Sequence, residues 1–108
     1  MQVFRKLRAQ RVFERRNMPF LQTITDFDLV VEIGYHAARG RRLTLKQLCR
    51  TGIGAVATLE RRLSRLKRLG AVRHRRSDAD ARHRELDLSD KLRRAFTRYD
   101  TLPLWKAR

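Results

Sequence analysis

The segment LTLKQLCRTGIGAVATLERRLSRLKRLGAVRHRRSDADARHRELDLS, residues 43–89, decides how this chain is read. In its middle, Val56, Leu59, Leu63 and Leu66 recur at spacings of three and four, which places them on one stripe of a helix over residues 55–69. That stripe is expected in the core. The other side carries Ala57, Thr58, Arg61, Arg65 and Arg68, with Arg62 at the flank, and Gly70 follows as the expected C-terminal cap.

Upstream, Leu43 to Gly54 reads as a short extended piece followed by a capping box, in which Thr44 caps and Gln47 reaches back. A brief helix burying Leu45 and Leu48 comes next, then a turn from Thr51 to Gly54, where Gly52 and Gly54 are expected to adopt backbone angles that most residues avoid. Downstream, residues 71–88 alternate as two short strands around Ser77, Asp78, Ala79 and Asp80, with Val72, Leu86 and Leu88 facing inward.

Outside this segment, a helix is expected from Thr25, capped by Thr25 or Asp26. It runs through Phe27, Leu29, Val30, Val31, Ile33 and Gly34 to a stop at Gly40. Ser89 and Asp90 offer a cap for a last helix through Lys91, Leu92, Ala95, Phe96 and Tyr99, which Pro103 blocks. Residues 1–19 form a basic arm: Arg5, Lys6, Arg8, Arg11, Arg15 and Arg16 stand against Glu14, and Val3, Phe4, Leu7, Val12 and Phe13 recur at helical intervals.

The fold class is therefore mainly α with a small β-wing (α+β), in the order helix, strand, helix, turn, helix, hairpin, helix. This is a winged helix-turn-helix. Residues 20–90 form the DNA-binding domain, and residues 91–108 form a C-terminal helix and tail suited to dimerisation. A chain of 108 residues leaves room for one small core and no second domain.

The charge points to the partner. With 27 Lys and Arg against 11 Asp and Glu, the formal net charge is +16, and arginine outnumbers lysine heavily. That balance favours a polyanion, phosphate-rich nucleic acid before an anionic membrane surface, and the planar guanidinium suits both phosphates and base edges. The bland alternative is that the charge only keeps the protein in solution. No apolar stretch approaches a membrane span, and the first residues are too often interrupted by charge for a signal peptide. A cytoplasmic, nucleoid-associated location is expected. The single cysteine, Cys49, has no partner for an internal disulfide and reads as core filling.

A helix of this width fits the major groove of duplex DNA, while a hairpin can lie over the neighbouring backbone or minor groove. Gly54, Ala55, Ala57 and Thr58 are small enough to let the helix N-terminus approach DNA, where its free amides can meet a phosphate. Arg61 is expected to read bases, with Arg62 and Arg65 divided between bases and phosphates. A plain solvated helix face is the competing reading of these arginines.

Residues 51–89 resemble the DNA-binding part of the MarR-type winged-helix transcription regulators. The resemblance lies in the glycine turn before the recognition helix, the Leu66 to Gly70 ending, and an Asp-x-x-x-Arg wing that closes into a Leu-Ser strand end. It implies that Arg82 enters the minor groove while Asp80 holds its side chain, and that Arg84 touches a phosphate. It also implies a homodimer on a roughly palindromic site, with the protein acting as a repressor. The chain departs from the family in its short last helix and basic first arm. If it dimerises, Phe4, Leu7 and Phe13 are expected to meet Phe96, Tyr99, Leu102, Leu104 and Trp105 of a second copy; otherwise these residues cover the monomer's own core.

His36, His74 and His83 are too scattered for a metal site, and no nucleophile with its base, phosphate-cradling loop or catalytic carboxylate pair is present. No cofactor and no enzymatic activity are expected. Two other uses of the fold remain beside the regulator: a general nucleic-acid or assembly module, such as a chromosome-organising, RNA-binding or phage accessory protein, and a winged helix that binds an acidic protein.

Overall fold

A computed structural model of the chain describes residues 2–76 and 84–101. Five helices and one hairpin follow in the expected order: α1 (Gln2–Asn17), α2 (Ile24–Ala38), α3 (Leu45–Cys49), α4 (Val56–Arg68), β1 (Val72–Arg76), β2 (Arg84–Leu88) and α5 (Asp90–Thr97), the last continuing as a 3-10 turn over Arg98–Thr101. The turn residues 77–83, with Asp78, Asp80, Arg82 and His83, lie outside the described residues, as do residues 102–108 with Leu102, Pro103, Leu104 and Trp105.

Local chemistry sets most of the boundaries. Thr44 Oγ1 accepts from the Gln47 amide at 3.2 Å while Gln47 Oε1 accepts from the Thr44 amide at 2.9 Å, so the expected capping box opens α3. A second box opens α2, its cap two residues before the first position expected. Thr23 caps it, and Asp26, rather than capping, sits three positions in and takes the Thr23 amide. Ser89 caps α5 by accepting from the Leu92 amide at 3.1 Å.

Glycines end α2 and α4. Gly40 and Gly70 both have positive φ, near +75°, and after each the chain closes a pair of bonds back to the last turn: Gly70 N–H to Lys67 O at 3.0 Å and Ala71 N–H to Leu66 O at 2.9 Å in the case of α4. Gly52 also lies at positive φ in the turn before α4. Gly54 does not, because the chain is already extending toward the helix there.

The core lies where α2, α4 and the hairpin converge. Leu29, Val30 and Ile33 of α2 meet Leu59, Leu63 and Leu66 of α4, with Leu48, Val72, Leu86 and Leu88 completing the cluster. Gly34 lets α2 approach β2, since a Cβ there would stand 3.0 Å from Leu88 Cδ1. The strands pair antiparallel with Val72 opposite Leu88. The extended piece at Leu43 joins the hairpin through Leu86 N–H to Leu43 O at 2.7 Å.

One apolar residue expected in the core stays outside it: Val56 is 51% exposed because the first turn of α4 projects past the packed stripe. Val31, 56% exposed, lies on the outer flank of α2. The arm α1 is a helix whose last turns dock on the body. The Phe13 and Tyr99 rings lie 4.5 Å apart, and the Tyr99 hydroxyl donates to the buried Glu14 carboxylate. Burial, then that carboxylate, pushes the Tyr99 pKa upward. Phe13 and Tyr99 thus meet within one chain, while Val3, Phe4 and Leu7 at the far end of α1 are exposed. No helix among the described residues is long and apolar enough to cross a membrane.

Two buried carboxylates brace elements distant in sequence. Asp26 of α2 accepts Arg62 Nε and a second Arg62 nitrogen at 2.7 and 2.6 Å. Asp87 of β2 accepts from Arg42 at 3.0 Å and from Arg93 of α5 at 3.0 Å, with Arg75 of β1 at 3.7 Å. Burial pushes both carboxyls upward, but the arginine and backbone donors outweigh it, so both sit below the ordinary value of 3.8.

Two predictions concern this frame. Gly70→Ala, forced to positive φ, is expected to cost about 1 kcal/mol in urea unfolding. Gly54→Ala, at ordinary φ and with its nearest neighbour at 3.7 Å, should change stability by no more than a few tenths. For pH, a carboxyl whose pKa falls on folding contributes stability that is full above its unfolded value and is lost as pH drops through the folded one. Stability should therefore fall below pH 3.8, and Asp87→Asn should flatten that fall in urea unfolding at pH 6, 4 and 2.5.

Candidate nucleic-acid interface

Helix α4 presents one face to solvent because its opposite stripe is filled by Leu59, Leu63 and Leu66, each at most 1% exposed. On the open face lie Ala57, Arg61, Ser64 and Arg68, one helical turn apart, all exposed. Gly54 and Ala55 are exposed at its start, and Thr58 is half-buried on the flank. Ala55 occupies the cap position without a side chain that can accept, so no N-cap side-chain bond closes the first turn of α4.

The four arginines of α4 divide into two pairs. Arg61 and Arg68 are exposed and make no ion pair among the described residues. Arg62 and Arg65, expected to divide between bases and phosphates, are directed elsewhere. Arg62 grips Asp26 with its side chain 17% exposed, and Arg65 donates to the Phe20 carbonyl at 2.7 Å while lying 3.7 Å from the same carboxylate. The reason is angular: on a helix, residues 62 and 65 sit beside the core stripe and face α2, whereas 61 and 68 face away.

Arg84 stands at the turn end of the wing stem, opposite Arg76. Beside it, Lys67 and His74 are in hydrogen-bond contact across α4 and β1. Burial lowers the Lys67 pKa, with the Arg84 charge adding to the effect. Burial likewise lowers that of His74, helped by Lys67 and Arg84. Among the described residues no ion pair answers Lys67, Arg76 or Arg84, whereas Asp26 and Asp87, which hold arginines elsewhere, are buried. Asp80 and Arg82 belong to the wing turn outside the described residues.

Ser64 escaped the sequence reading although its spacing from Arg61 and Arg68 gives it away. Asp87 was not singled out and Asp26 was expected only as a cap, because nothing local distinguishes a buried acid from a surface one when partners such as Arg42 and Arg62 are tens of residues off. Cys49 is half-buried against the core. Among the described residues no three His, Cys, Asp or Glu side chains come together in a way that could hold a metal.

No protein-family model matches the sequence, and no curated protein matches it. Solved structures do match. A crystal structure of MarR aligns over 98% of this chain and 80% of its own, with a TM-score of 0.55 at 18% identity. Streptococcus pneumoniae FabT, solved in complex with DNA, aligns over 92% of this chain and 69% of its own, with a TM-score of 0.62 at 22% identity. The adhesin competence repressor AdcR of Streptococcus pyogenes aligns over 91% and 68%, with a TM-score of 0.56 at 14% identity. Agreement of the backbone along nearly the whole chain, together with the element order and the two-stranded hairpin, shows that this chain has the MarR-type winged-helix fold.

Proposed function

We propose that this chain is a sequence-specific duplex DNA-binding transcription regulator that represses by covering a promoter as a homodimer. One observation carries the reading: on a fold that FabT was solved with DNA, the strip Gly54, Ala55, Ala57 and Arg61 is open to solvent, and Arg61 is unpaired among the described residues. Small residues let the helix approach the major groove. Arg61 reaches base edges there, with Thr58 beside it, and the uncapped amides of α4 receive a phosphate oxygen.

The wing supplies the second contact. Arg82, steadied by Asp80, enters the minor groove, and Arg84 meets the backbone. The exposed Val3, Phe4 and Leu7 at the far end of α1 supply apolar surface for the second copy, whose recognition helix then falls about one DNA turn, roughly 34 Å, away. In this reading the protein is no enzyme and works in the cytoplasm.

The net charge of +16 favours one other reading, a general nucleic-acid module whose affinity comes from phosphates alone. Selection from a library of random duplexes at low and near-physiological salt separates the two. A motif retained at the higher salt supports the regulator, its symmetry reporting the dimer; retention without preference, collapsing as salt rises, supports the module.

Within the regulator reading, Arg61→Ala is expected to relax discrimination at one or two base pairs, by about 1–3 kcal/mol. Equal weakening on every duplex in a competition assay would reassign Arg61 to a phosphate. Arg82→Ala should weaken binding to duplexes with A/T-rich flanks while leaving G/C-rich flanks little changed. Unchanged affinity for both would remove the minor-groove assignment of the wing.

A further inference from the structure

We infer that Asp26 is a specificity-determining residue that acts at a distance from DNA, by withholding Arg62 and Arg65 from the phosphate backbone. The inference rests on the DNA-binding reading above. An arginine beside a groove-facing helix surface adds attraction to any duplex, and that attraction carries no sequence information. Helix α4 holds Arg61, Arg62, Arg65 and Arg68 within two turns. With all four free, phosphate attraction would dominate what the helix does.

Asp26 removes two of them. Its carboxylate has no exposed surface and is filled with donors: the Gln22 amide at 2.8 Å, the Thr23 amide at 3.2 Å and the two Arg62 nitrogens at 2.7 and 2.6 Å. The two Arg62 bonds form a fork, the geometry in which arginine binds a carboxylate most tightly. Arg65 stands one turn on, anchored by the Phe20 carbonyl and 3.7 Å from the same oxygen. For Arg62 to swing out to a phosphate, it must leave a buried carboxylate without its strongest partner, a costly exchange. Arg61 and Arg68 face no such carboxylate. The helix thereby keeps two arginines for the groove and ties two to its own scaffold.

Asp26→Asn tests this, because the amide has the same shape but cannot hold a guanidinium by charge. At a temperature where circular dichroism shows the variant folded, its affinity for random duplex is expected to rise several-fold. The slope of log affinity against log salt should steepen by about 0.9 for each arginine that reaches a phosphate. Its preference for the library-selected duplex over random duplex should shrink by the same several-fold factor.

In the complementary variant Arg62→Gln/Arg65→Gln, the slope should match the wild type, since neither side chain touches a phosphate. A folded Asp26→Asn protein with the wild-type slope and preference overturns the inference. So does a slope in the glutamine variant shallower by about 0.9 per arginine, and that comparison decides alone if Asp26→Asn does not fold. Wild-type protein that retains no duplex removes the DNA-binding reading itself, and the inference falls with it.

Discussion

A carboxylate with no exposed surface must be surrounded by donors or give up its charge. Asp26 is surrounded, and the geometry of this small protein follows from how. Two of its donors are the backbone amides that start α2, and two are the arms of a guanidinium on α4, so one side chain fixes where a helix begins and how a second helix lies against it. Leu59, Leu63 and Leu66 provide the attraction between α4 and the body, but a smooth leucine stripe tolerates rotation about the helix axis. The fork on Arg62 does not. The apolar core thus gives α4 its place, and the buried ion pair gives it its angle.

Asp87 repeats the principle on the wing side. It gathers Arg42 from the loop before α3, Arg75 from β1 and Arg93 from α5 around one buried carboxylate on β2. In both clusters arginines outnumber the acid, so each is locally positive even where it is satisfied. A chain with 27 basic and 11 acidic residues cannot pair its charge throughout. It places its buried acids where they join elements and leaves the surplus on α4 and along the wing stem. A polyanionic partner is the natural complement of that surplus.

Much of the fold was legible because its signals are local. The leucine stripe of α4, the Thr44 and Gln47 capping box, the stop at Gly70 and the inward Val72, Leu86 and Leu88 all depend on residues within a few positions of each other. The errors arose where the deciding partner is remote or the element edge is fine-grained. Asp26 was read as a helix cap because an acid near a helix start usually is one, whereas its place is set by Arg62, 36 positions away. Val56 fits the heptad of the stripe but falls in the first turn, before the helix reaches the core. Gly54 shares a turn with Gly52, yet only Gly52 needs the left-handed region. At the site, the exposure of Arg61 followed from helical phase; the capture of Arg62, expected at the flank, and of Arg65, expected on the outward face, did not, because their partners Asp26 and Phe20 lie far off in sequence.

The stem of the wing shows what this distribution costs the free protein. Val72 opposite Leu88 anchors its base in the core, but at its far end Arg76 is paired across the strands with Arg84, and like charges facing each other in a hairpin oppose its closure. Lys67 packs against His74 of this stem, and burial, helped by the neighbouring positive charges, depresses the pKa values of both. The hairpin holds because its base, at Val72 and Leu88, is apolar and its strands pair through all five positions. A polyanion laid along the turn end would relieve that repulsion, the more so at low ionic strength.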